Sequence, residues 1–311
     1  MSFNRCTLHL TNICILLTMV SCRSYGQVDY FEKTPPGKIA TRFAPGVIST
    51  DALEHSAPAF SPDGRKVLWT IMELPSYKTY LMEMDFENGQ WSPPHRPSFQ
   101  EPDANHAFPS WSPNGQILYF SSSRKSEDDT VNIKSNQLWQ VERTGKQWHE
   151  PKRISPVFPP NAYALSVSKA GTVYFTHGPF RSPDWNILQS TFNNKTYDMP
   201  TSLAINTTYY EDGPCIAPDE SFILFESNRP GSIAGSIDIY IAFRAQDHSW
   251  SEPINLGSIV NGPATERFAK LSPDGKYLFF CSDRRTVNGA PNLDMYWIDA
   301  SFIYALKASQ Q

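Results

Sequence analysis

Ala57-Pro-Ala-Phe-Ser-Pro-Asp-Gly64 is the stretch that decides the fold, because the chain writes it again and again. It recurs as Phe108-Pro-Ser-Trp-Ser-Pro-Asn-Gly115 and, degenerate, as Ala164-Leu-Ser-Val-Ser-Lys-Ala-Gly171. It returns as Gly213-Pro-Cys-Ile-Ala-Pro-Asp-Glu220 and Phe268-Ala-Lys-Leu-Ser-Pro-Asp-Gly275. Successive copies lie roughly 50 residues apart, the length of one four-stranded propeller blade. In each copy a short strand runs into a turn where Pro fixes φ and Gly supplies the permissive position. An apolar strand follows, with one aromatic per copy at a fixed place: Trp69, Phe120, Phe175, Phe225 and Phe280. A ring of packed sheets needs such a residue.

A third strand follows a variable loop, as at Tyr80-Leu-Met, Gln137-Leu-Trp and Asp238-Ile-Tyr. An aromatic and a Pro then open a fourth, as in Trp91-Ser-Pro93 and Trp250-Ser-Glu-Pro253. Pro is tolerated there because an outermost strand has an unpaired edge. The fifth copy lacks a fourth strand, and the stretch Ile39 to Ile48 looks like one without a sheet. The expectation is an all-β, single β-propeller of five four-stranded blades, closed by the N-terminal strand; six blades is the alternative. The propeller domain is placed at 38–311, with a linker at 23–37.

These repeats resemble the WD40-like β-propeller repeat of TolB-like periplasmic proteins, over roughly residues 38–300. The resemblance implies a propeller used as a binding or scaffold module. Nothing before residue 38 reads as the N-terminal α/β domain of TolB itself, which sets a Tol–Pal role aside.

Composition agrees. The chain has 311 residues, with 26 Pro, 19 Phe, 14 Tyr and 8 Trp. Such a balance favours short strands and many turns. The formal charge is −4, from 27 Lys+Arg against 31 Asp+Glu, which excludes a basic nucleic-acid binder. Residues 1–22 read as a signal peptide: Arg5 and His9 precede a mostly apolar run too short to span a membrane. Met19-Val20-Ser21-Cys22 resembles a bacterial lipoprotein signal, in which Cys22 would become the lipidated first residue; the competing cleavage leaves Gln27 first. Export to the periplasm or the outer membrane follows. Only Cys215 and Cys281 remain in the body, both in apolar runs, where two buried thiols are expected rather than a bridge.

No Gly-x-Ser-x-Gly elbow, zinc-protease helix, Walker loop or dinucleotide fingerprint occurs. Five-bladed propellers also host glycosidases, which hold two carboxylates about 5–9.5 Å apart over a pocket. Aligning the copies on the Ser-Pro turn puts His55, His106, Ala162, Glu211 and Glu266 at one place, the start of the inner strand at a mouth of the central channel. Two imidazoles and two carboxylates there could bind a polar ligand or a divalent metal; the alternative is a solvated rim. Lys270, further along its strand, could point into the channel and pair with Glu266 or Glu211. Arg124, Arg229 and Arg284 recur after the second strand and suggest a structural clamp with Asp238 and Asp294. Phe180, Trp185 and Tyr77 are loop aromatics that could stack sugars or cap blade ends. Two functions stand: a non-catalytic, monomeric envelope module binding a protein, peptide or glycan, or a carbohydrate-active hydrolase or lyase at the channel mouth.

Overall fold

The computed structural model describes residues 30–31, 34–126, 135–179 and 184–309. The signal segment with Cys22, and Phe180, lie outside the described residues. Five antiparallel sheets form a five-bladed propeller, as the repeats predict. Blade 1 runs Leu53–Glu54 with Ala59–Phe60, then Lys66–Glu73, Lys78–Glu87 and Gln90–Trp91, and blade 2 runs His106–Trp111, Ile117–Ser122, Gln137–Thr144 and Gln147–Trp148. Blade 3 starts at Ala162–Val167 and blade 4 at Glu211–Ile216. Blade 5 takes Glu266–Leu271, Tyr277–Val287 and Ala290–Asp299, and its fourth strand is Thr41–Arg42, pairing Thr41 with Trp297 and Arg42 with Tyr296.

The repeated turn owes its sequence to side-chain bonds. Gly64 N–H donates to the Ser61 carbonyl at 2.7 Å, with Gly64 at φ 68°, where a Cβ would be strained. The Asp63 carboxylate accepts from Ser61 Oγ and Arg65 N, and Ser61 Oγ in turn accepts Lys66 N at 3.0 Å. Ser112 with Asn114 and Ser272 with Asp274 repeat the device.

Four of the five inner strands carry a bulge of the same kind. In blade 4 the register steps from Asp212↔Glu226 to Cys215↔Leu224, and the same shift falls between Ala107 and Ser110, Tyr163 and Ser166, and Arg267 and Lys270. The bulged residue has positive φ: Phe108 57°, Ala164 46°, Gly213 60°, Phe268 55°. That conformation aims a backbone N–H at the preceding blade, where in three of the four a side chain accepts it. Thr70 Oγ1 takes Phe108 N at 2.9 Å, Thr176 Oγ1 takes Gly213 N at 3.2 Å, and Glu226 Oε2 takes Phe268 N at 2.9 Å. At the same strand position blade 5 has Cys281, a weak acceptor.

The seam between blades 5 and 1 is packed with rings instead. Phe43 is fully buried, 4.9 Å from Phe279 and 5.1 Å from Trp297. Tyr30, within the stretch expected as linker, is buried too, 5.2 Å from Phe60 and from Tyr277, and Phe31 stacks on Trp91 at 4.6 Å. Cys215 and Cys281 are free and buried.

Candidate functional site

The structure does not bring His55, His106, Glu211 and Glu266 together as one cluster. Blade 1 departs from the alignment first. Between Glu54↔Ile71 and Ala59↔Leu68 its inner strand spends one residue more than blade 4 does between Glu211↔Ser227 and Cys215↔Leu224. Counting back from the turn therefore lands on His55, whereas Glu54 holds the place of Glu211 and Glu266.

Those glutamates are interior braces. Glu211 is fully buried and accepts Thr207 Oγ1 at 2.7 Å, Ser227 Oγ at 3.1 Å and Arg229 Nη2 at 2.9 Å. Glu266 accepts Gly262 N, Ser282 Oγ and Arg284 Nη2 at 2.8, 2.7 and 2.9 Å. The recurring arginines thus clamp glutamates of their own blades, not Asp238 and Asp294 as expected. Asp294 pairs with Arg285, and Asp238 accepts from Asn255 and Ile233 N. His106 takes the glutamate's place in blade 2; its Nε2 lies 3.2 Å from both the Glu101 N and O, and Arg124 turns to the Glu101 carboxylate. Burial lowers its pKa to about 4.

Glu54 has no arginine, because blade 1 carries Glu73 where the others carry Arg124, Arg229 and Arg284. Its Oε1 accepts Thr50 N and Oγ1, and Oε2 has no partner. Burial raises its pKa to about 8.

One position further along the inner strands, at the same end of the channel, lie Tyr163, Asp212 and Arg267. Arg267 Nε and Nη2 donate to Glu226 Oε1 at 3.1 and 2.9 Å, and Nη2 also contacts Tyr210 Oη. Tyr210 donates to Asp212, whose other oxygen takes Thr176 Oγ1 and Gly213 N, each at 2.6 Å. Burial pushes Glu226 up to about 7, against the pull of Arg267, and drives Tyr210 well above its ordinary value. Beside this cluster Trp185 stacks on Tyr163, centroids 4.9 Å apart at 25°, and lies 5.9 Å from Tyr210. Together they make an aromatic shelf. Tyr77 stands apart, 67% exposed at a strand turn.

Below the mouth the axis is plugged. The rings of Phe108 and Phe268 lie 5.0 Å apart, and His55 packs against both, at 5.5 and 5.0 Å. Burial, helped by Arg267, lowers the His55 pKa to about 3. The remaining axial space, bounded by Phe108, Ala164, Gly213, Phe268, Ser56 and Lys270, is about 10 Å³, the room of one water. Lys270 reaches that space but makes no ion pair with Glu266 or Glu211, whose oxygens are held by Arg284 and Arg229.

Among the described residues, one group has ligand spacing for a metal: Glu83, Asp85 and His95. A cation already sits in it. The buried Lys66 ammonium is 2.8 Å from both Glu83 Oε2 and Asp85 Oδ1, and Trp148 Nε1 donates to Glu83 at 3.0 Å.

Sequence reasoning missed Tyr210, Asp212, Glu226 and Arg267. The available signal was the residue after each aligned position, where Asp212 and Arg267 break the run of small or apolar types.

No protein-family profile matches the chain, and no curated protein matches it. Solved structures do. The chain is similar to a protein described as TolB from Agrobacterium tumefaciens, at 19% identity over 81% of this chain and 79% of that one, with a TM-score of 0.53. It is similar to a GH62 hydrolase solved in complex with xylotriose, at 11% identity over 86% and 98%, TM-score 0.51. A thermostable family-43 glycoside hydrolase gives 12% over 85% and 90%, TM-score 0.50. At these identities the likeness is one of fold alone.

Proposed function

We propose that this chain is an exported, non-catalytic propeller that binds a ligand on the mouth face, at the shelf of Tyr163, Trp185 and Tyr210 beside Arg267. One observation carries the reading: the carboxylates at this end are spent inside the protein. Asp212 and Glu226 are held by Arg267, Tyr210, Thr176 and two bulge amides, while Glu211 and Glu266 are held by arginines. A glycosidase needs two free carboxyl groups facing a pocket, one to give a proton and one to attack or to activate water. An axis filled by Phe108, Phe268 and His55 leaves no such pocket between them. What the mouth offers is the partly exposed ring of Trp185, backed by the buried ring of Tyr163 and bordered by the ion-paired Arg267. It suits a ligand with flat faces, a glycan or a peptide carrying rings.

Isothermal titration of the wild type and Trp185→Ala against xylo- and arabino-oligosaccharides, peptidoglycan fragments and synthetic peptides tests this. At least one ligand should give saturable heat, weakened about tenfold in the variant, as the loss of about 1.4 kcal/mol of stacking requires. Heat that Trp185→Ala leaves unchanged overturns the site; no heat with any ligand overturns the function.

The proposed setting is the bacterial envelope, with attachment through a lipid on Cys22 and an envelope protein, peptide or glycan as partner. The support is the sequence of the first 22 residues; among the described residues no helix is long and apolar enough to cross a membrane. Cys22→Ala should move the protein from the membrane to the soluble fraction. Retention in the cytoplasm would contradict export.

A further inference from the structure

We infer that the axial space beside Lys270 is a binding site for a small monovalent anion, chloride in kind. Along its inner strand Lys270 lies on the turn side of the Phe108–Phe268 layer, away from the aromatic shelf, so this site is independent of the ligand proposed there.

Four observations meet at this point. First, Lys270 lines the axial cavity, and among the described residues no carboxylate pairs with it. The nearest acids, Glu211 and Glu266, are committed to Arg229 and Arg284. The groups that act on it electrostatically are the thiols of Cys215 and Cys281, and burial pushes both thiols up, so they stay neutral. Arg267, on the mouth side, is spent on Glu226 and Asp212. Second, Ser56 faces the same cavity. Its oxygen accepts Thr70 N at 3.0 Å, so its own proton is left to give. Third, the remaining lining is small or apolar: Ala164 and Gly213 on one side, the two phenylalanines on the other. With room for about one water, it fits a single spherical ion and excludes an oxyanion such as sulfate.

The fourth observation is positional. The same inner-strand place holds Ala59, Ser110, Ser166 and Cys215 in the other blades. There Ser166 Oγ accepts Ile216 N of the next blade at 3.1 Å. A lysine is a donor only and cannot take that role. Its presence at the axis is a departure from the repeat, and a partly buried ammonium without a counter-charge has lost part of its hydration. Either the amine gives up its proton, as burial favours, or an anion enters and keeps it charged. Paired donors around an anion-sized space point to the second.

The test is thermal unfolding at fixed ionic strength, replacing sodium gluconate stepwise by sodium chloride or bromide. The wild type should show a saturable rise of a few degrees in Tm with either halide, and none with sulfate. Lys270→Met, similar in length, should lose that response, and Ser56→Ala should shift it to higher halide concentration. A Tm indifferent to halide, or a response that survives in Lys270→Met, overturns the site. Should Lys270→Met not fold, crystals of the wild type grown in bromide decide: an anomalous peak within hydrogen-bond distance of Lys270 Nζ is expected, and its absence overturns the proposal.

Discussion

Three blades of this propeller solve the same local problem with a glutamate, and the exception among them is informative. Glu211 and Glu266 are buried with an arginine, so each charge is compensated. Glu54 is buried beside Thr50 alone, with Glu73 where the arginine would stand, and burial raises its pKa to about 8. The folded protein therefore keeps a proton that the unfolded chain releases above its ordinary value near 4.5. That stabilisation is complete below pH 4.5 and is lost as pH rises through about 8. His55 and His106 act with the opposite sign: held neutral in the fold, with values of about 3 and 4, they cost stability only as pH falls below about 6.5. Between pH 7 and 8 the Glu54 effect stands clear of both. Urea titrations across that window should show wild-type stability falling more steeply than that of Glu54→Gln, which keeps only the tail of the Glu226 titration near pH 7. Equal slopes would mean that Glu54 is charged in the fold. The Thr-x-x-x-Glu spacing at Thr50–Glu54 and Thr207–Glu211 was visible in the sequence. Its meaning was not, because the extra residue in blade 1 made alignment from the turn select His55.

Among the elements, the inner-strand bulge is the joint between blades. In blades 2, 4 and 5 its amide leaves its own sheet and is caught by the neighbour's second strand, so a side chain there controls contact between blades as well as within one. Thr70→Val keeps the shape and removes the acceptor of Phe108 N, leaving a buried N–H unpaired. A loss of about 1–3 kcal/mol is expected by urea unfolding. Ser121 occupies the same position in blade 2, but its Oγ is buried without a partner, so Ser121→Ala should change little. Comparable losses in the two variants would contradict the joint. The turn on which the repeats were recognised was fully legible, since Ser, Pro, Asp and Gly each have a fixed duty in it. The bulge was not. Phe108 and Phe268 take positive φ, a conformation that bulky residues avoid and that no local pattern announces. The arginines were legible as repeated and structural, but their partners were misassigned: pairing follows the sheet register, which the repeat spacing does not supply.

For the whole molecule, two matters stand above any one blade: how the ring is held at its seam, and what its mouth does. Blades 5 and 1 meet where Cys281 replaces the Thr70-type acceptor, so packing carries the junction. Thr41–Arg42 pair with the last blade, Phe43 lies buried between sheets, and Tyr30 Oη donates to Asp274 at 3.2 Å. We expect that removing residues 38–50 leaves an open edge and exposed rings, with aggregation or loss of cooperative unfolding; a truncated chain that melts like the full one would contradict this. The five-blade count and the strand order were legible because they repeat. The packing of Tyr30 was not, because a short aromatic pair in a polar stretch reads as a linker. The cluster at the mouth was only partly legible: the residues picked from the sequence lie one place along the strand from Asp212 and Arg267, which make the connected network. Its chemistry turns on whether Asp212 and Glu226, both buried and both bonded to Tyr210 and Arg267, ever act on a ligand. The direct measurement is mass spectrometry of a bound ligand, chosen by titration, after prolonged incubation with the wild type and with Glu226→Gln. The account predicts an intact ligand from both proteins; a cleaved product that forms with the wild type and disappears with Glu226→Gln would contradict it.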